Sequence, residues 1–194
     1  PTTSQYDSFQ YLALVSLQKR GYEIHYVGSK DGIEKKLMEE FDIPYYGISS
    51  GKLRRYFDVK NFTDPARILK GYAEAGKIIK KVKPHVIFSK GGFVTVPVVF
   101  AAKRKKVPCV LHESDISLGL ANRLCIPSAA AVCANFPETL SHLPEEKSYL
   151  TGSPIRKELF SGNRLKGLDF CGFSTQKPVI LVIGGSLGSV RVNC

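Results

Sequence analysis

The sequence predicts an α/β fold, a Rossmann-like parallel sheet with helices on both faces. First, short apolar runs alternate with segments of helical periodicity through most of the 194 residues, which is typical of repeated βα units. Second, a glycine-rich turn follows an apolar run at Gly91–Gly92 and again at 184–189. Third, a polar turn, His112–Ser117, follows a further apolar run. In open α/β sheets, the loops that leave the carboxyl ends of the strands form the ligand site.

The first elements are predicted from the change between helical and alternating patterns. Residues 1–10, PTTSQYDSFQ, are polar and carry no strand pattern. The first helix, over Tyr11–Lys19, is predicted to end before Gly21, because glycine readily takes the left-handed conformation found after helices. In order, the pattern predicts a helix over Tyr11–Lys19, a strand over Tyr22–Val27, a loop over Gly28–Gly32, a helix over Ile33–Phe41 and a strand over Ile43–Ile48.

A basic and aromatic segment, Ser49–Thr63, interrupts this alternation. A mixed basic and apolar surface binds anionic membranes well. The segment is therefore either a loop that docks on a membrane or substrate, or a long connection whose aromatic side chains pack under the domain. A helix then begins at Asp64, a favourable capping residue, with Pro65 at its first position, and it ends near Val82. Its apolar stripe is more typical of a core helix than of a membrane face.

The stretch Val86–Leu124 consists of a strand, a glycine turn, a helix, a strand and a polar turn. Gly91 and Gly92 can take positive φ and allow another group to approach closely. A helix that begins near Thr95 would direct its free N–H groups toward an anion or a sugar. A plain connecting turn is the other interpretation of the glycine pair. The polar turn adds three ionisable groups to the same edge of the sheet: His112, Glu113 and Asp115.

The remaining elements complete one domain and begin another. A buried strand is predicted over Ala129–Ala134, a short helix over Pro137–Ser141 and a strand end over Ser148–Thr151. The βα pattern then restarts, so we predict one domain over 1–157 and the start of a second over 158–194. In the second, an apolar run leads into a loop that suits a nucleotide diphosphate at a helix N-terminus, although no P-loop Gly-Lys-Ser/Thr follows. That loop contains Gly184, Gly185, Ser186 and Gly188.

Composition and charge are those of a basic globular protein. The formal net charge is +11, with 43% apolar and 23% charged residues. Between Lys52 and Lys106 there are fifteen Lys and Arg residues but three acids, which suits nucleic acid, anionic lipid or a phosphorylated substrate. The five cysteines show no CxxC spacing, so we expect free thiols in a reducing, cytosolic compartment rather than disulfides or metal ligands. No apolar run approaches the ~20 residues that a membrane span needs.

Four motifs resemble those of one family, and they occur in that family's order. They are SKGGFVTVP at 89–97, HESD with GLANRL between 112 and 124, GSPIR at 152–156 and GGSLGSVRVN at 184–193. Together they resemble the MurG family of bacterial glycosyltransferases, glycosyltransferase family 28. The resemblance implies a GT-B fold, with an N-terminal domain for the lipid-linked acceptor (lipid I) and a C-terminal domain for UDP-N-acetylglucosamine (UDP-GlcNAc). It also implies an inverting transfer of GlcNAc to lipid I, which gives lipid II for peptidoglycan and needs no metal or cofactor. The protein would be peripheral, on the anionic cytoplasmic face of the cell membrane.

The resemblance implies site residues position by position. His112 and Glu113 match the family's His-Glu pair at the inter-domain cleft, where a carboxylate can orient or deprotonate a sugar hydroxyl. Gly91, Gly92 and Asn122 match positions of the acceptor diphosphate loop. The implied donor-binding positions are Asp115, where many members have Asn, together with Arg156, Ser186 and Asn193. The glycine loop of the second domain would be formed by Gly184, Gly185 and Gly188.

The N-terminus departs from the family pattern. Members begin with a strand and a Gly-Gly-Thr-x-Gly-His loop, whose His is a candidate general base, but PTTSQYDSFQ stands in that place here. With this loop altered and the rest of the second domain beyond Cys194, we expect the chain as given to be inactive alone. The alternatives are another GT-B lipid glycosyltransferase, a non-catalytic basic binding module and a degenerate gene fragment. Nucleic acid is not an expected partner, because the aromatic residues form no stacking series.

Overall fold

The computed structural model of the chain describes residues 8–32, 34–50, 64–153 and 160–180. The chain divides into two compact units, one formed by Leu17–Ser153 and the other by Pro1–Ser16 with Pro154–Cys194. The predicted boundary at 157/158, most of the basic and aromatic segment, and the predicted second glycine loop lie outside the described residues. These three assignments therefore stay predictions.

A four-stranded parallel sheet forms the centre of the larger unit. Its strands are adjacent in chain order: β3 (Ile87–Ser89), β4 (Cys109–Glu113), β5 (Ala131–Ala134) and β6 (Ser148–Leu150). In register, Ser89 lies beside Leu111, and Glu113 lies beside Ala134. Because the strands are parallel, the loops that follow β3 and β4 leave from the same edge of the sheet, as predicted.

Helices connect these strands. α4 (Thr95–Arg104) joins β3 to β4, α5 (Leu120–Cys125) joins β4 to β5, and α6 (Pro137–Leu140) joins β5 to β6. The start of α4 is almost entirely apolar, and seven of its first eight residues are buried. Complete burial of a side chain such as Val99 contributes about 2 kcal/mol, so α4 forms a large part of the core.

A two-stranded parallel sheet lies in the same unit. β1 (Tyr26–Ser29) pairs with β2 (Tyr45–Ile48), and α2 (Glu34–Glu40) connects them. The long helix α3 (Asp64–Val82) comes between β2 and β3 in the chain. Residues from both sheets pack in one hydrophobic cluster with α3 and α4, among them Val27, Ile48, Ala75, Ile79, Ile87 and Val99. The two sheets therefore share one core.

α3 approaches the end of β2 closely at Gly71. A Cβ on Gly71 would meet the carbonyl oxygen of Ser49 and would lie 3.2 Å from its carbonyl carbon. Nearby, the Glu74 carboxylate accepts hydrogen bonds from the Ser49 N–H at 2.6 Å and the Ser49 hydroxyl at 3.4 Å, and it pairs with Lys30 Nζ at 3.3 Å. Burial alone would raise the pKa of Glu74, but the Ser49 and Lys30 donors outweigh it and lower the pKa. These contacts hold α3 against the two-stranded sheet.

Three of the helices are followed by left-handed residues that are not glycine. Asp42, Lys83 and Lys106 have φ values of 54°, 51° and 59°. Lys83 follows α3 and donates its N–H to the Ile79 carbonyl at 2.9 Å, and Lys106 follows α4 and donates to the Lys103 carbonyl at 3.1 Å. This conformation costs a residue with a Cβ about 1 kcal/mol. The turns after these helices therefore hold strained backbone.

Most predicted elements are confirmed, with small shifts at their ends. α1 runs over Ser8–Lys19 and is followed by Gly21 at φ 78°. The prediction of a strand over Tyr22–Val27 is wrong, because β1 begins later and includes Gly28, where a Cβ would lie 2.7 Å from the Tyr45 ring. The placement of His112 and Glu113 in a turn is also wrong. They end β4 and pair with β5, which makes them buried strand residues.

The described part of the smaller unit contains α7 (Arg164–Cys171), which the sequence patterns did not indicate. The Asn163 side chain caps it by accepting the N–H groups of Leu165 at 2.9 Å and Lys166 at 3.1 Å. Gly172, at φ 66°, ends it. Across the described ranges, no helix combines the length and the apolar composition that crossing a bilayer would require.

The cysteines of the described residues are free, as predicted. Cys109 and Cys125 are buried, whereas Cys171 is exposed. Burial raises the pKa of Cys109 to about 11 and that of Cys125 to about 12. A thiol that stays protonated in an apolar core behaves as a small hydrophobic side chain.

Candidate active site

Two loops form the candidate active site at the carboxyl edge of the central sheet. The glycine loop, Ser89–Thr95, follows β3, and the β4 loop, Ser114–Gly119, follows β4. Both loops belong to the larger unit and follow neighbouring strands of the same sheet. The strands therefore fix where each loop begins.

The glycine loop is closed on itself by its own side chains. Gly91 and Gly92 have φ values of 98° and 83°, a region that only glycine enters easily. The Ser89 hydroxyl accepts the Gly91 N–H at 3.2 Å and lies 2.6 Å from the Thr95 hydroxyl, which donates to the Gly91 carbonyl at 2.7 Å. No side chain caps the start of α4. The Thr95 N–H donates to the Gly92 carbonyl at 3.1 Å. The N–H groups that follow it in the first turn of α4 are the ones that favour an anion.

Glu113 is buried at the root of the β4 loop, with 5% of its surface exposed. One carboxylate oxygen, Oε1, accepts the N–H of Asp115 at 3.1 Å. The other, Oε2, accepts the N–H of Gly119 at 2.9 Å and the Asn122 side-chain amide at 3.0 Å. Both oxygens of this carboxylate are therefore used inside the protein.

His112 is also buried, with 2% of its surface exposed. Its Nε2 lies 3.2 Å from the carbonyl oxygen of Gly152, which can only accept, so Nε2 carries the proton. Its Nδ1 lies 3.3 Å from the Ser114 hydroxyl, within hydrogen-bond distance. The ring consequently ties the end of β4 to the segment that follows β6.

Asn122, on α5, connects the two loops. It is 3% exposed, and its Nδ2 donates to the His112 carbonyl at 3.2 Å as well as to Glu113. Its Oδ1 is buried without a hydrogen-bond partner. A Cβ on Gly91 would lie 3.2 Å from Asn122 Nδ2 and 3.3 Å from Oδ1. The side-chain amide therefore packs directly against the backbone of the glycine loop.

The β4 loop is held from its outer side as well. Thr139, on α6, donates to the carbonyl oxygens of Asp115 at 3.2 Å and Ile116 at 3.0 Å. The Asn135 side chain donates to the Ser114 carbonyl at 3.3 Å. The backbone of the loop is thus fixed, while the side chains of Asp115 and Ile116 are exposed.

The chemical character of this edge is that of a site for a polar ligand. The glycine loop and the start of α4 offer backbone N–H groups, which suit a phosphate oxygen. The Asp115 carboxylate offers an acceptor, which suits a sugar hydroxyl. Within the described ranges, no group of three or more His, Cys, Asp or Glu side chains is placed to hold a metal ion. The expectation that neither metal nor cofactor is needed stays a prediction.

The structure describes six of the twelve predicted site residues and brings them together at or beside this edge. Those at the edge are Gly91, Gly92, His112, Glu113 and Asp115, with Asn122 packed beside them. The residues outside the described ranges are Arg156, Gly184, Gly185, Ser186, Gly188 and Asn193.

Four further residues shape the site without having been predicted. They are Ser89, Thr95, Gly119 and Thr139. Ser89 and Thr95 flank the glycine pair, and short hydroxyl side chains in that position commonly bond to nearby backbone, so the sequence did hold a signal for them. Thr139 bonds across 24 positions of the chain, which local sequence does not reveal.

Parallel strands, helical crossovers and a glycine loop at the carboxyl edge define a Rossmann-like ligand-binding domain. Residues 8–134 match the model of the glycosyltransferase family 28 N-terminal domain. The chain belongs to that family, which confirms the family resemblance and the fold class predicted from the motifs.

Curated relatives extend the match over most of the chain. A "UDP-N-acetylglucosamine--N-acetylmuramyl-(pentapeptide) pyrophosphoryl-undecaprenol N-acetylglucosamine transferase" of Lachnoclostridium phytofermentans is 66% identical over 183 residues, which is 94% of this chain and 52% of the relative. A relative of the same name from Lachnospira eligens is 58% identical over 93% of this chain and 51% of its own length. The chain therefore spans about half the length of the curated relatives it matches.

Solved structures agree with this fold. MurG of Acinetobacter baumannii matches 80% of this chain and 44% of its own chain, with a TM-score of 0.63 and 26% identity. A UDP-GlcNAc 2-epimerase of Neisseria meningitidis, solved with UDP-GlcNAc, matches 84% of this chain and 47% of its own, with a TM-score of 0.57 and 14% identity. At that identity the second likeness concerns the fold alone.

Proposed function

We propose that this chain is the acceptor-binding half of an inverting hexosyltransferase that moves GlcNAc from UDP-GlcNAc to lipid I. The product would be lipid II, a precursor of peptidoglycan. The observation that carries the proposal is the 66% identity, across 94% of the chain, to a relative named as a GlcNAc transferase acting on a pyrophosphoryl-undecaprenol acceptor. The polar carboxyl edge supports it, because a diphosphate-linked sugar presents both anionic oxygens and hydroxyl groups.

Within this proposal, the glycine loop takes the acceptor diphosphate. Gly92 leaves room for the ligand to approach the backbone, because a Cβ there would have nothing within 4 Å, and the first turn of α4 stabilises negative charge. Residues 1–157 would form the acceptor domain, and 158–194 would begin the domain for the UDP-sugar. Asp115, Arg156, Ser186 and Asn193 would contact the donor in the complete enzyme.

A transferase assay tests this function directly. We would fuse the chain to the part of the Lachnoclostridium phytofermentans relative that it does not cover, once with residues 1–10 as they stand and once with the relative's own N-terminal residues there. We expect the second fusion to transfer GlcNAc to lipid I, and the chain alone to transfer none. If that second fusion folds and binds UDP-GlcNAc but glycosylates diacylglycerol and not lipid I, the proposed acceptor is wrong and diacylglycerol takes its place.

We further propose that the chain attaches peripherally to the anionic cytoplasmic face of the membrane. A groove of about 240 Å³ lies between α3 and α4. Tyr72, Ala73, Gly76 and Ala101 provide an apolar lining, and Lys77, Lys80, Arg104 and Lys105 provide a basic one. Among the residues that the structure describes, no acidic side chain lines this groove, so it suits the phosphate of a lipid headgroup.

Exposed apolar side chains accompany the groove. Leu69 is 69% exposed and precedes the lining residue Tyr72 by three positions on α3. Phe100 is 40% exposed and precedes the lining residue Arg104 by four positions on α4. Residues at these spacings share a helix face. Basic and apolar groups on the same surface favour binding at the boundary between lipid headgroups and acyl chains.

Vesicle binding tests the attachment. We expect the chain to sediment with vesicles that contain phosphatidylglycerol, and to be released by high salt. The double substitution Lys80→Ala with Arg104→Ala should weaken binding by about 10- to 30-fold, since each basic residue near the surface contributes about 1 kcal/mol. The matched control, Lys35→Ala with Lys36→Ala on α2, removes the same charge elsewhere. Equal loss in both pairs, or no preference for anionic vesicles, would contradict a specific role for the groove.

A further inference from the structure

The carboxylate of Glu113 is surrounded by donors that all belong to one stretch of chain, Asp115–Asn122. Three hydrogen bonds of 2.9–3.1 Å reach its two oxygens, two from backbone N–H groups and one from a side-chain amide. An ionised carboxylate is an acceptor with no proton to give, so it matches three donors. Hydrogen bonds to a charged group are stronger than those between neutral groups.

We propose that Glu113 is a positioning residue, which holds the β4 loop in the shape that presents Asp115, rather than the base that removes a proton from the acceptor. The inference rests on the proposed function, because it concerns the same transferase site. A general base must reach the proton it abstracts within hydrogen-bond distance. Glu113 is 5% exposed, and three donors of the protein already bond to its two oxygens, so burial keeps a substrate hydroxyl from reaching the carboxylate.

The backbone of the β4 loop is hydrogen-bonded from two sides, by Glu113 and by Thr139. On its inner side, Glu113 accepts the N–H groups at the second and sixth positions of the loop, Asp115 and Gly119. On its outer side, Thr139 donates to the carbonyl oxygens of Asp115 and Ile116. With the backbone held from both sides, the place from which Asp115 extends its exposed side chain is fixed before any ligand arrives, which lowers the cost of ordering the loop on binding.

Asn122 extends the effect of Glu113 to the second loop. Its amide donates to Glu113 Oε2 and to the His112 carbonyl, and the same amide packs against Gly91. A change in the Glu113 carboxylate therefore alters the contact that Asn122 makes with the glycine loop. Glu113 positions both loops, although it lies behind them.

Hydrogen exchange on the chain itself tests these contacts to the β4 loop without requiring activity. Glu113→Gln turns one acceptor oxygen into an NH₂ group that faces a donor, so we expect the Asp115 and Gly119 amides to exchange at least about 10-fold faster. Ser117→Ala, an exposed change in the same loop, should leave both rates unchanged. Should Glu113→Gln fail to fold, Glu113→Asp keeps the charge but withdraws it by one methylene, and the same two amides should exchange faster. Unchanged rates in both variants would overturn the proposal.

Kinetics of the fusion enzyme separate positioning from base catalysis. If Glu113 positions Asp115, Glu113→Gln raises KM for UDP-GlcNAc and retains the acidic limb of the pH–rate profile. If Glu113 is the base, kcat falls, KM stays constant and the acidic limb disappears, which would overturn the inference. Faster exchange in a fusion that shows no transfer to lipid I would leave the positioning role intact and refute the proposed function instead.

Discussion

Replacing Gly71 with alanine measures how closely α3 is held against the two-stranded sheet. A methyl group at this position would meet the Ser49 carbonyl oxygen, well inside van der Waals contact. The obstacle is backbone rather than a flexible side chain, so either α3 or the end of β2 must move. Gly76 is a matched control on the same helix, because a Cβ there has nothing within 4 Å.

The expected magnitudes follow from opposing effects. Alanine in place of glycine improves helix propensity by about 1 kcal/mol at either position. At Gly71, overpacking costs about 1–3 kcal/mol, and displacement of Ser49 weakens its hydrogen bonds to Glu74, each contributing about 1 kcal/mol. We expect Gly71→Ala to lower the free energy of unfolding by about 2 kcal/mol, and Gly76→Ala to raise it by about 1 kcal/mol.

Thermal and urea unfolding followed by circular dichroism would measure the difference. For a chain of this size, 1 kcal/mol corresponds to about 2–4 °C in Tm, so the two variants should differ by roughly 6–12 °C. The loss in Gly71→Ala should also be less than additive with Glu74→Gln, because both changes disturb Ser49. Equal stability of Gly71→Ala and Gly76→Ala would refute the close approach of α3 to Ser49.

Four further outcomes follow from the described residues. Gly92→Ala should lower stability by about 1–2 kcal/mol from backbone strain alone, since the space around it is open, and Gly92→Asn should cost less; equal melting temperatures would contradict this. In native protein at pH 8, iodoacetamide should label Cys171 far faster than Cys109 or Cys125, as mass spectrometry would show. Burial raises the pKa of Cys109 from 9.0 to about 11, so as pH rises the thiol ionises in the unfolded chain before it does in the folded one. The free energy of unfolding should therefore fall between those pH values by up to about 1.4 kcal/mol per pH unit. Since the pKa of Glu74 is lowered in the fold, its contribution is present at neutral pH and lost as pH falls below its usual value of 4.5, so the wild type and Glu74→Gln should converge in urea melts at acidic pH.

The sequence carried enough information for the sheet and for the edge where the candidate site lies. Capping and periodicity placed α3 to within about a residue at each end, and the glycine pair marked the start of α4 near Thr95. Both signals are local, because helix periodicity and positive φ depend on neighbouring residues alone. Parallel pairing of β3 with β4 then followed from the helical crossover between them.

Other features depended on contacts that local sequence does not contain. His112 and Glu113 are polar and were assigned to a turn, yet they are buried strand residues whose polar atoms are satisfied by Gly152, Gly119 and Asn122. Burial of a charged side chain is favourable only when donors surround it. The donors to Glu113 lie two to nine positions along the chain, whereas the carbonyl that accepts from the His112 ring lies 40 positions away. The inclusion of Gly28 in β1 has a similar cause, because the missing Cβ leaves room for the Tyr45 ring of the neighbouring strand.

The lysines that close α3 and α4 set a limit on how this chain can be engineered. Lys83→Gly and Lys106→Gly would remove the left-handed strain and raise thermal tolerance. Each replacement would also delete a cation beside the negative end of a helix dipole, where positive charge is favourable. Substitutions selected for heat resistance at Lys83 and Lys106 would therefore make the surface less basic. At these two positions, relief of backbone strain and retention of positive charge cannot both be obtained with glycine.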